Sequence, residues 1–249
     1  MKFINKYKAK NFNKRKTKQI IFIIIHYTAL KSCNDAIEYL CNSKNKVSSH
    51  YLISQNGKIF NLVNEKMRAW HAGLSYWNDH IDINSLSIGI ELDFSYNKKN
   101  NRYSKEMILS LIILLKKLKK KYNINKENIL GHADIAPFRK KDPGEKFPWY
   151  KLQNENITLI ANRKNIYKTN IIKNWFYRNK IKSNKKIALF ILAIIGYNTF
   201  EIKQSNYLFS KLITVYQNHF MQFNKTGKID NKTLNFMINH FLNNLLTKS

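Results

Sequence analysis

Residues 131–144 read Gly-His-Ala-Asp-Ile-Ala-Pro-Phe-Arg-Lys-Lys-Asp-Pro-Gly, and this stretch places three chemically useful side chains close together. His132 and Asp142 supply the imidazole nitrogen and the carboxylate oxygen that zinc accepts as ligands. Lys140 lies beside them and is suited to stabilise negative charge that develops during a reaction. Because the prolines and the final glycine restrict the backbone, we expect a rigid loop and not a helix.

A metal site at this loop needs a further ligand from elsewhere in the chain. His26 is the candidate, since it follows the apolar run Ile20–Ile25, which is short, continuous and rich in β-branched residues and so predicts a buried strand. A catalytic zinc ion takes three protein ligands and leaves a fourth position for water, and His26, His132 and Asp142 meet that requirement. Spacing alone leaves the alternative open that His26 is a hydrogen-bonded histidine of the core.

The chain up to residue 155 predicts an α/β domain, because strand patterns alternate with helix patterns. The Asn56-Gly57 pair between two apolar runs is a strong hairpin signal. Glu91 lies near the end of a further apolar strand, where a carboxylate could act as a general base. The predicted strands are Ile20–His26, Tyr51–Ser54, Lys58–Val63, Ser87–Leu92 and Ile129–Leu130, and the predicted helices are Asn34–Leu40 and Lys105–Tyr122.

The sequence divides into four predicted parts. Residues 1–19 are a basic, solvated arm, residues 20–155 form the α/β domain, and residues 156–183 are a polar linker that is expected to be partly helical. Residues 184–249 follow helical periodicity and predict a small three-helix domain. Its helices are expected at Lys186–Ile195, Tyr207–Gln222 and Asn231–Leu245, with Asp230 capping the last, and its core at Leu192, Leu212, Phe220, Leu234 and Phe241.

The charge balance is unusual. A formal net charge of +29 arises from 44 lysines and arginines against 15 acidic residues, but only six of the 44 are arginine. Nucleic-acid recognition relies on the bidentate arginine fork, so this lysine excess argues against that class of partner. An AT-rich coding sequence explains the bias towards Lys, Asn and Ile, and attraction to an anionic polymer such as a cell wall is the second explanation.

Cysteine content and apolar runs exclude further classes of protein. Cys33 and Cys41 lie on one predicted helix, about 12 Å apart at a rise of roughly 1.5 Å per residue. We therefore expect free thiols and no disulfide framework. The apolar runs are too short to span a bilayer. The N-terminus is basic, but no cleavage site or lipoprotein cysteine follows it, so the sequence gives no support for export.

Five segments, taken in order, resemble the type-2 zinc amidases, specifically the AmiD-like N-acetylmuramoyl-L-alanine amidases. Each segment alone is a weak signal, whereas the ordered set with family-like gaps over residues 20 to 150 is specific. The segments are Ile25-His-Tyr-Thr28, Val47-Ser-Ser-His-Tyr-Leu-Ile-Ser54, Arg68-Ala-Trp-His-Ala-Gly73, Ser87-Ile-Gly-Ile-Glu91 and Gly131-His-Ala-Asp-Ile-Ala-Pro137 through Arg139-Lys-Lys-Asp-Pro-Gly144.

This resemblance implies a fold, a metal and a reaction. The fold is a central mixed β-sheet flanked by helices, and the reaction cleaves the amide between N-acetylmuramic acid and L-alanine in peptidoglycan or muropeptides. One Zn²⁺ per chain would be held by His26, His132 and Asp142. Glu91 and Lys140 would be the catalytic pair. Some relatives have Cys at the third ligand position, where this chain has Asp142.

Further expectations follow from the same resemblance. His50, Tyr51, Trp70 and His71 lie in the matched segments, which makes them candidates for the substrate cleft. For His50 and His71 the alternative is support of the metal ligands, a purely structural role is equally open for His50, and packing in the core is equally open for Trp70. Residues 220–237, which include Thr226-Gly-Lys-Ile-Asp-Asn-Lys-Thr233, are similar to the peptidoglycan-binding domain attached to such amidases. We expect a monomer acting in the cell envelope, with the cytoplasm as the alternative location because no export signal is visible.

Two other function classes account for part of the sequence. Proteins on this scaffold can lose the third ligand and become non-catalytic peptidoglycan-recognition proteins, but Asp142, Glu91 and Lys140 are all present here. A basic nucleic-acid-binding protein would rest on charge alone and leaves the ordered segments unexplained. We therefore expect an amidase, with the recognition protein as the alternative.

Overall fold

The computed structural model describes residues 3–97, 102–159, 166–202 and 204–247. Single turns of 3-10 helix lie at Ser43–Asn45 and Lys126–Asn128. The strands are β1 Phe3–Ile4, β2 Phe12–Lys14, β3 Phe22–Tyr27, β4 Tyr51–Ile53, β5 Ile59–Asn61, β6 Met67–Ala69, β7 Ser87–Leu92 and β8 Ile129–Gly131. The helices are α1 Cys33–Cys41, α2 Ile83–Leu86, α3 Lys105–Tyr122, α4 His132–Ile135, α5 Trp149–Asn154, α6 Ile166–Arg178, α7 Asn184–Ile195, α8 Asn206–Phe220 and α9 Asn231–Thr247.

A six-stranded mixed sheet forms the centre of the fold, in the order β1-β5-β4-β7-β3-β8. Only the β4–β5 hairpin is antiparallel among its pairs. The strand β3 lies between β7 and β8, so both of its edges are paired. Side chains on both of its faces are buried, which is why its isoleucines form a continuous run and do not alternate with polar residues. The predicted fold class, a mixed sheet flanked by helices, is confirmed.

Helices cover both faces of the sheet. On one face, α3 packs its apolar side chains against Ile23, Ile25 and Ile90. On the other face, Phe22 and Ile24 belong to the same apolar cluster as side chains of α7, α8 and α9. The C-terminal helices therefore share a core with the sheet, and their predicted core positions lie within it. Among the described residues, no helix has the length and apolarity needed to cross a membrane.

The predicted linker is a helix over much of its length. Residues 166–178 form α6, and Phe176 is fully buried in the core shared with the sheet. The helix agrees with the partly helical connector that was expected, but its buried side chain makes residues 166–178 part of the shared core and not a free linker. Residues 160–165 lie outside the described part of the chain.

The N-terminal segment is also part of the fold. β1 pairs in parallel with β5, and β2 pairs with β6 in a separate two-stranded ribbon. Ala9 and Asn11 are buried, and the Arg15 guanidinium donates to the backbone carbonyls of Glu65, Asn84, Ser85 and Ser87. The expected solvated arm is thus wrong for residues 3–15, because apolar and amide side chains between the lysines supply buried contacts.

Residues 131–144, which include two of the candidate ligands, contain one turn of helix where a loop was expected. Residues 132–135 form α4, and the Asp134 carboxylate accepts from the Gly131 N–H at 2.7 Å. This contact satisfies a backbone donor that the first turn of a helix otherwise leaves unpaired. The turn ends at Ala136, before Pro137, so the prolines limit the helix to a single turn and do not prevent it.

We predict that Phe176→Ala lowers the free energy of unfolding by about 3–5 kcal/mol, the usual cost of truncating a buried phenylalanine. Trp175 is the matched control, because it neighbours Phe176 on α6 but is 52% exposed. Trp175→Ala should cost less than about 1 kcal/mol. Urea unfolding followed by circular dichroism measures both. Equal effects of the two variants would contradict the docking of α6 on the shared core.

Candidate metal centre

Three side-chain atoms from three segments converge on one point. His26, on the central strand β3, has its Nδ1 2.9 Å from Nδ1 of His132 and 3.0 Å from Oδ2 of Asp142. The His132 Nδ1 and the Asp142 Oδ2 are also 3.0 Å apart. All three residues are buried, and they form a possible metal-binding group. The predicted ligand candidates are therefore brought together.

Hydrogen bonds fix the tautomer of His26. The Ser87 hydroxyl donates to the Ile83 carbonyl at 2.6 Å, so its oxygen accepts from Nε2 of His71 at 3.2 Å. The Nδ1 of His71 then has a lone pair, and it accepts from Nε2 of His26 at 3.0 Å. A neutral His26 ring consequently carries a lone pair on Nδ1, the atom that faces Asp142.

His132 has the same tautomer as His26, and a single hydrogen bond fixes it. Its Nε2 lies 3.0 Å from the Ala72 carbonyl, which can only accept, so this nitrogen carries the proton. The Nδ1 of a neutral His132 ring then also carries a lone pair. Two imidazole lone pairs and a carboxylate oxygen within 3.0 Å of one another repel unless a positive charge lies among them. This donor set suits a divalent cation.

Electrostatics favour a neutral His26 and an ionised Asp142. Burial, followed by the charges of His132 and Lys140, lowers the pKa of His26 to about 4. Burial also lowers the pKa of His71 well below its usual value. Although burial opposes ionisation of Asp142, its contacts with His132 and His26 hold the pKa of this carboxyl well below the usual range. At neutral pH, His26 is thus neutral and Asp142 ionised.

The distances also suit zinc. Bonds of about 2.0–2.2 Å in a tetrahedral site place neighbouring ligand atoms roughly 3.3–3.6 Å apart. The atoms observed at 2.9–3.0 Å need to move outwards by only a few tenths of an ångström to accept such an ion. Each histidine is held through its other nitrogen, by His71 or by the Ala72 carbonyl, as metal-binding histidines usually are.

Glu91 lies next to this centre. Strands β3 and β7 pair in parallel with His26 opposite Glu91, so the two side chains project from the same face. Glu91 is buried, and its Oε2 has no hydrogen-bond partner among the described residues. Burial, together with the negative charge of Asp142, raises the pKa of Glu91 to about 8. A buried, unpaired carboxyl of this kind is suited to exchange protons near neutral pH.

Lys140 completes the set of charges. Its positive charge opposes the rise in the pKa of Glu91, so the ammonium is within electrostatic reach of the carboxyl. The backbone N–H of Lys140 donates to the Ala136 carbonyl at 2.9 Å, directly after α4. Lys140 also lines a cavity of about 600 Å³ together with Tyr27, the residue after His26.

Two of the residues expected in the substrate cleft have partners within the fold. Tyr51 projects into the core on the α3 face of the sheet, opposite to Glu91, and its hydroxyl donates to Glu65. His50 is fully buried, with Nδ1 accepting from the Gly89 N–H and Nε2 against the Met67 carbonyl. These contacts support the structural alternative for His50, and a contact of either residue with substrate stays a prediction.

The other two expected cleft residues have different surroundings. The Trp70 indole N–H donates to Asn13 of β2 at 2.8 Å, which directs the ring to the two-stranded ribbon. His71 contacts the metal centre indirectly, through its hydrogen bond to His26. Its ring packs on Gly89, where an added Cβ would come within 2.4 Å of it. Gly89 is therefore required by this close approach, and His71 supports a ligand.

The side chains that fix residues 131–144 against the C-terminal helices were not predicted from the sequence. Asp134 accepts from the Tyr197 hydroxyl at 2.6 Å and from Nδ1 of His219 at 2.8 Å, and both partners belong to the C-terminal helical part. Only the position of Asp134, two residues after His132, could have signalled this role. Arg139 donates to the carbonyls of Ala72 and Leu74 and so fixes the other side of the stretch.

Helix α8 contributes further contacts along one face. Lys211 donates to the Phe138 carbonyl at 3.3 Å, and the ring of His219 stacks on Trp149 with centroids 3.7 Å apart. Just beyond α8, Gln222 donates to the Phe147 carbonyl at 2.6 Å. The C-terminal helices therefore brace residues 131–150, the segment that carries two of the three candidate ligands.

We predict that His71→Phe weakens Zn²⁺ binding about 10- to 100-fold, the usual effect of removing the partner of a metal-binding histidine. Phenylalanine keeps a ring against Gly89 but removes the acceptor for Nε2 of His26. His80→Phe is the matched control, because His80 packs its ring on Phe22 at 5.6 Å, away from the ligands. Competition with a chromophoric chelator measures the affinity. Equal affinities of the two variants would contradict the supporting role of His71.

Comparison with known proteins shows what this centre resembles. Residues 16–145 match the family model Amidase_2, described as N-acetylmuramoyl-L-alanine amidase. The N-acetylmuramoyl-L-alanine amidase AmiD of Escherichia coli is 40% identical over 165 residues, which are 60% of this chain and 58% of that protein. The 1,6-anhydro-N-acetylmuramyl-L-alanine amidase AmpD of Haemophilus influenzae is 42% identical over 105 residues, 42% of this chain and 55% of that protein. The chain thus spans little more than half the length of these relatives.

Solved structures agree with the sequence comparison. The structure of Escherichia coli AmiD with anhydro-N-acetylmuramic acid-L-Ala-D-gamma-Glu-L-Lys matches with a TM-score of 0.76 at 26% identity, over 95% of this chain and 98% of that one. AmpDh3 of Pseudomonas aeruginosa matches with a TM-score of 0.74 at 28% identity, over 92% of each chain. The family match covers more than half of the sequence and includes all three candidate ligands, and the chain belongs to the Amidase_2 family of N-acetylmuramoyl-L-alanine amidases.

Proposed function

We propose that this protein is a zinc-dependent N-acetylmuramoyl-L-alanine amidase that hydrolyses the amide between N-acetylmuramic acid and L-alanine in peptidoglycan or muropeptides. One observation carries the proposal: two imidazole lone pairs and a carboxylate converge within 3.0 Å, beside a buried carboxyl without a hydrogen-bond partner among the described residues. Family membership and the likeness to amidase structures with bound muropeptide support the choice of substrate.

His26, His132 and Asp142 are the residues that would hold one Zn²⁺ ion. Bound there, zinc supplies Lewis-acid activation of water and of the scissile carbonyl at neutral pH. The single carboxylate leaves part of the ion's charge uncompensated, which favours that activation. The bonds of His26 to His71 and of His132 to Ala72 keep both lone pairs directed at the ion's position.

Glu91 is the proposed general base. Its position opposite His26 on the paired strands supports this role, because the carboxylate would lie beside a water held at the candidate metal site. Glu91 takes a proton from that water as the amide carbonyl is attacked. It then returns the proton to the departing nitrogen of L-alanine, which must be protonated before it leaves. Burial without a hydrogen-bond partner leaves the carboxylate available for both transfers.

Lys140 is the proposed stabiliser of the oxyanion. The attacked carbonyl oxygen becomes negatively charged, and a preorganised cation beside it lowers the barrier. The turn after α4 fixes the backbone of Lys140 through its bond to Ala136. Its electrostatic effect on both His26 and Glu91 agrees with a location at the reacting centre.

Several expectations stay predictions. We propose that the protein is a monomer and acts in the cell envelope, where peptidoglycan lies. The peptidoglycan-binding role expected for the C-terminal helices is likewise a proposal. The non-catalytic recognition protein is disfavoured because the ligand set and Glu91 are complete, and recognition alone requires neither.

We predict that the purified protein releases stem peptides that begin with L-alanine from muropeptides. A chelator should abolish this release, and added Zn²⁺ should restore it, because the three ligands have no catalytic function without the ion. Mass spectrometry of the products measures both effects. Muropeptide binding without cleavage by the zinc-loaded protein would indicate the recognition protein instead.

We predict that Glu91→Gln lowers kcat by about 10²- to 10⁴-fold, the usual contribution of a general base, while one Zn²⁺ per chain is retained. The amide keeps the size of the side chain but cannot accept the proton. Glu38→Gln is the control, because Glu38 is exposed on α1. Stopped assays give kcat, and elemental analysis gives the zinc content. Wild-type turnover by Glu91→Gln would exclude the proposed base.

A further inference from the structure

One buried amide side chain contacts the segment that supports both candidate histidine ligands. Asn84, the second residue of the single-turn helix α2, is 6% exposed. Its Oδ1 accepts from the backbone N–H of His71 at 3.0 Å and from that of Ala72 at 2.8 Å. Only the oxygen of an amide can accept such bonds, so the two donors fix the orientation of the Asn84 side chain.

The two bonded residues are those that hold the candidate ligands. The Nδ1 of His71 lies 3.0 Å from Nε2 of His26. The carbonyl of Ala72 lies 3.0 Å from Nε2 of His132. Because His71 and Ala72 are consecutive, a displacement of their backbone moves both contacts together. One oxygen atom of Asn84 is thus connected, through two adjacent residues, to both histidines.

The backbone of this segment depends on Asn84 for its hydrogen bonds. His71 and Ala72 follow β6 and lie outside the strands, so the sheet does not pair their N–H groups. Both residues are buried, and neither N–H has another hydrogen-bond partner among the described residues. A buried N–H without an acceptor is costly, so loss of the Asn84 oxygen would favour a shift of the segment.

The position of Asn84 is itself fixed by the N-terminal segment. A helix of one turn leaves its carbonyls without intrahelical partners. The Arg15 guanidinium donates to the Asn84 carbonyl at 3.1 Å and to the Ser85 carbonyl at 2.9 Å. At the other end of the helix, the Asp82 side chain accepts from the Ser85 N–H. Helix α2 is therefore held at both ends, which keeps the Asn84 oxygen directed at its two donors.

We propose that Asn84 is a positioning residue for both histidine ligands of the metal centre. The inference rests on the zinc site of the proposed amidase function. By holding the backbone of His71, the Asn84 oxygen keeps the acceptor for His26 in place. By holding Ala72, it keeps the acceptor for His132 in place. Zinc affinity, and not only the stability of the fold, then depends on a side chain of α2.

The zinc affinity of the full-length protein, measured by competition with a chromophoric chelator, tests this role without turnover. We expect Asn84→Ala to weaken Zn²⁺ binding about 10- to 100-fold, the usual effect of losing support for a metal ligand. Asn84→Asp should retain the parental affinity, because its carboxylate accepts the same two bonds. The visible spectrum of the Co²⁺-loaded protein reports the arrangement of the ligands. It should change in Asn84→Ala and stay unchanged in Asn84→Asp.

Asn11→Ala is the matched control. Asn11 is 5% exposed, and its amide also bonds to two backbone groups, the carbonyls of Asn42 and Val47 in the segment after α1. This substitution should lower the melting temperature of the metal-free protein, as Asn84→Ala does, but leave the zinc affinity unchanged. Equal zinc affinities of the parent and Asn84→Ala would overturn the proposal, as would equal losses in Asn84→Ala and Asn11→Ala.

A double variant separates the two histidines. In the His71→Phe background the support of His26 is already lost, so Asn84→Ala should still weaken Zn²⁺ binding severalfold through Ala72 and His132. No further loss in that background would overturn the proposal for both ligands. Asn84→Ser, whose shorter side chain cannot bridge both donors, should show the same pattern with a smaller loss and replaces Asn84→Ala if that variant does not fold.

The same measurements separate this inference from the amidase function. Zinc binding by the parent with unchanged affinity in Asn84→Ala would exclude the positioning role and leave the amidase function standing. Weakened zinc binding in Asn84→Ala, together with no release of stem peptides by the zinc-loaded parent, would support the positioning role and exclude the amidase. A parent protein that binds no zinc would overturn both.

Discussion

The mutual repulsion of two imidazole lone pairs and a carboxylate is the constraint on which the rest of the site depends. His26, His132 and Asp142 come within 3.0 Å of one another only because rigid elements hold them there. β3 is paired at both edges and buried on both faces, and α4 is fixed by the bonds of Asp134 to Tyr197 and His219. The folding energy of the sheet and helices thus maintains a donor set that a cation stabilises.

The same rigidity sets the protonation states. Ser87 fixes the tautomer of His71, and His71 fixes that of His26, so a chain of hydrogen bonds from the backbone of Ile83 decides which nitrogen faces Asp142. Each member is buried, which restricts the exchange of these partners for solvent. A substitution at Ser87 or His71 would change the hydrogen bonding of His26 without replacing this candidate ligand. These two residues therefore affect metal binding although neither is a candidate ligand itself.

Much of this site could be predicted from the sequence, and the rest could not for identifiable reasons. The ordered segments indicated His26, His132, Asp142 and Glu91, because their chemistry is carried by residue type. The face of the sheet on which Tyr51 lies depends on strand register, which its own segment does not specify. The N-terminal strands were missed because lysines concealed their apolar residues, and the bounds and burial of α6 were not predicted within the partly helical connector. Contacts between Asp134 and His219 join positions 85 residues apart, which no local pattern reveals.

The position of the C-terminal helices changes how the whole chain is understood. A separately folded module on a linker would raise only the local concentration of substrate, and its removal would leave the reacting centre intact. Here α8 shares a core with the sheet, holds the stretch that carries His132 and Asp142, and lines the adjoining cavity. The placement of His132 and Asp142 is thereby coupled mechanically to α8, because this helix contacts the stretch that carries both residues. In this arrangement, the orientation of the candidate metal ligands depends on the same packed side chains that join the C-terminal helices to the sheet.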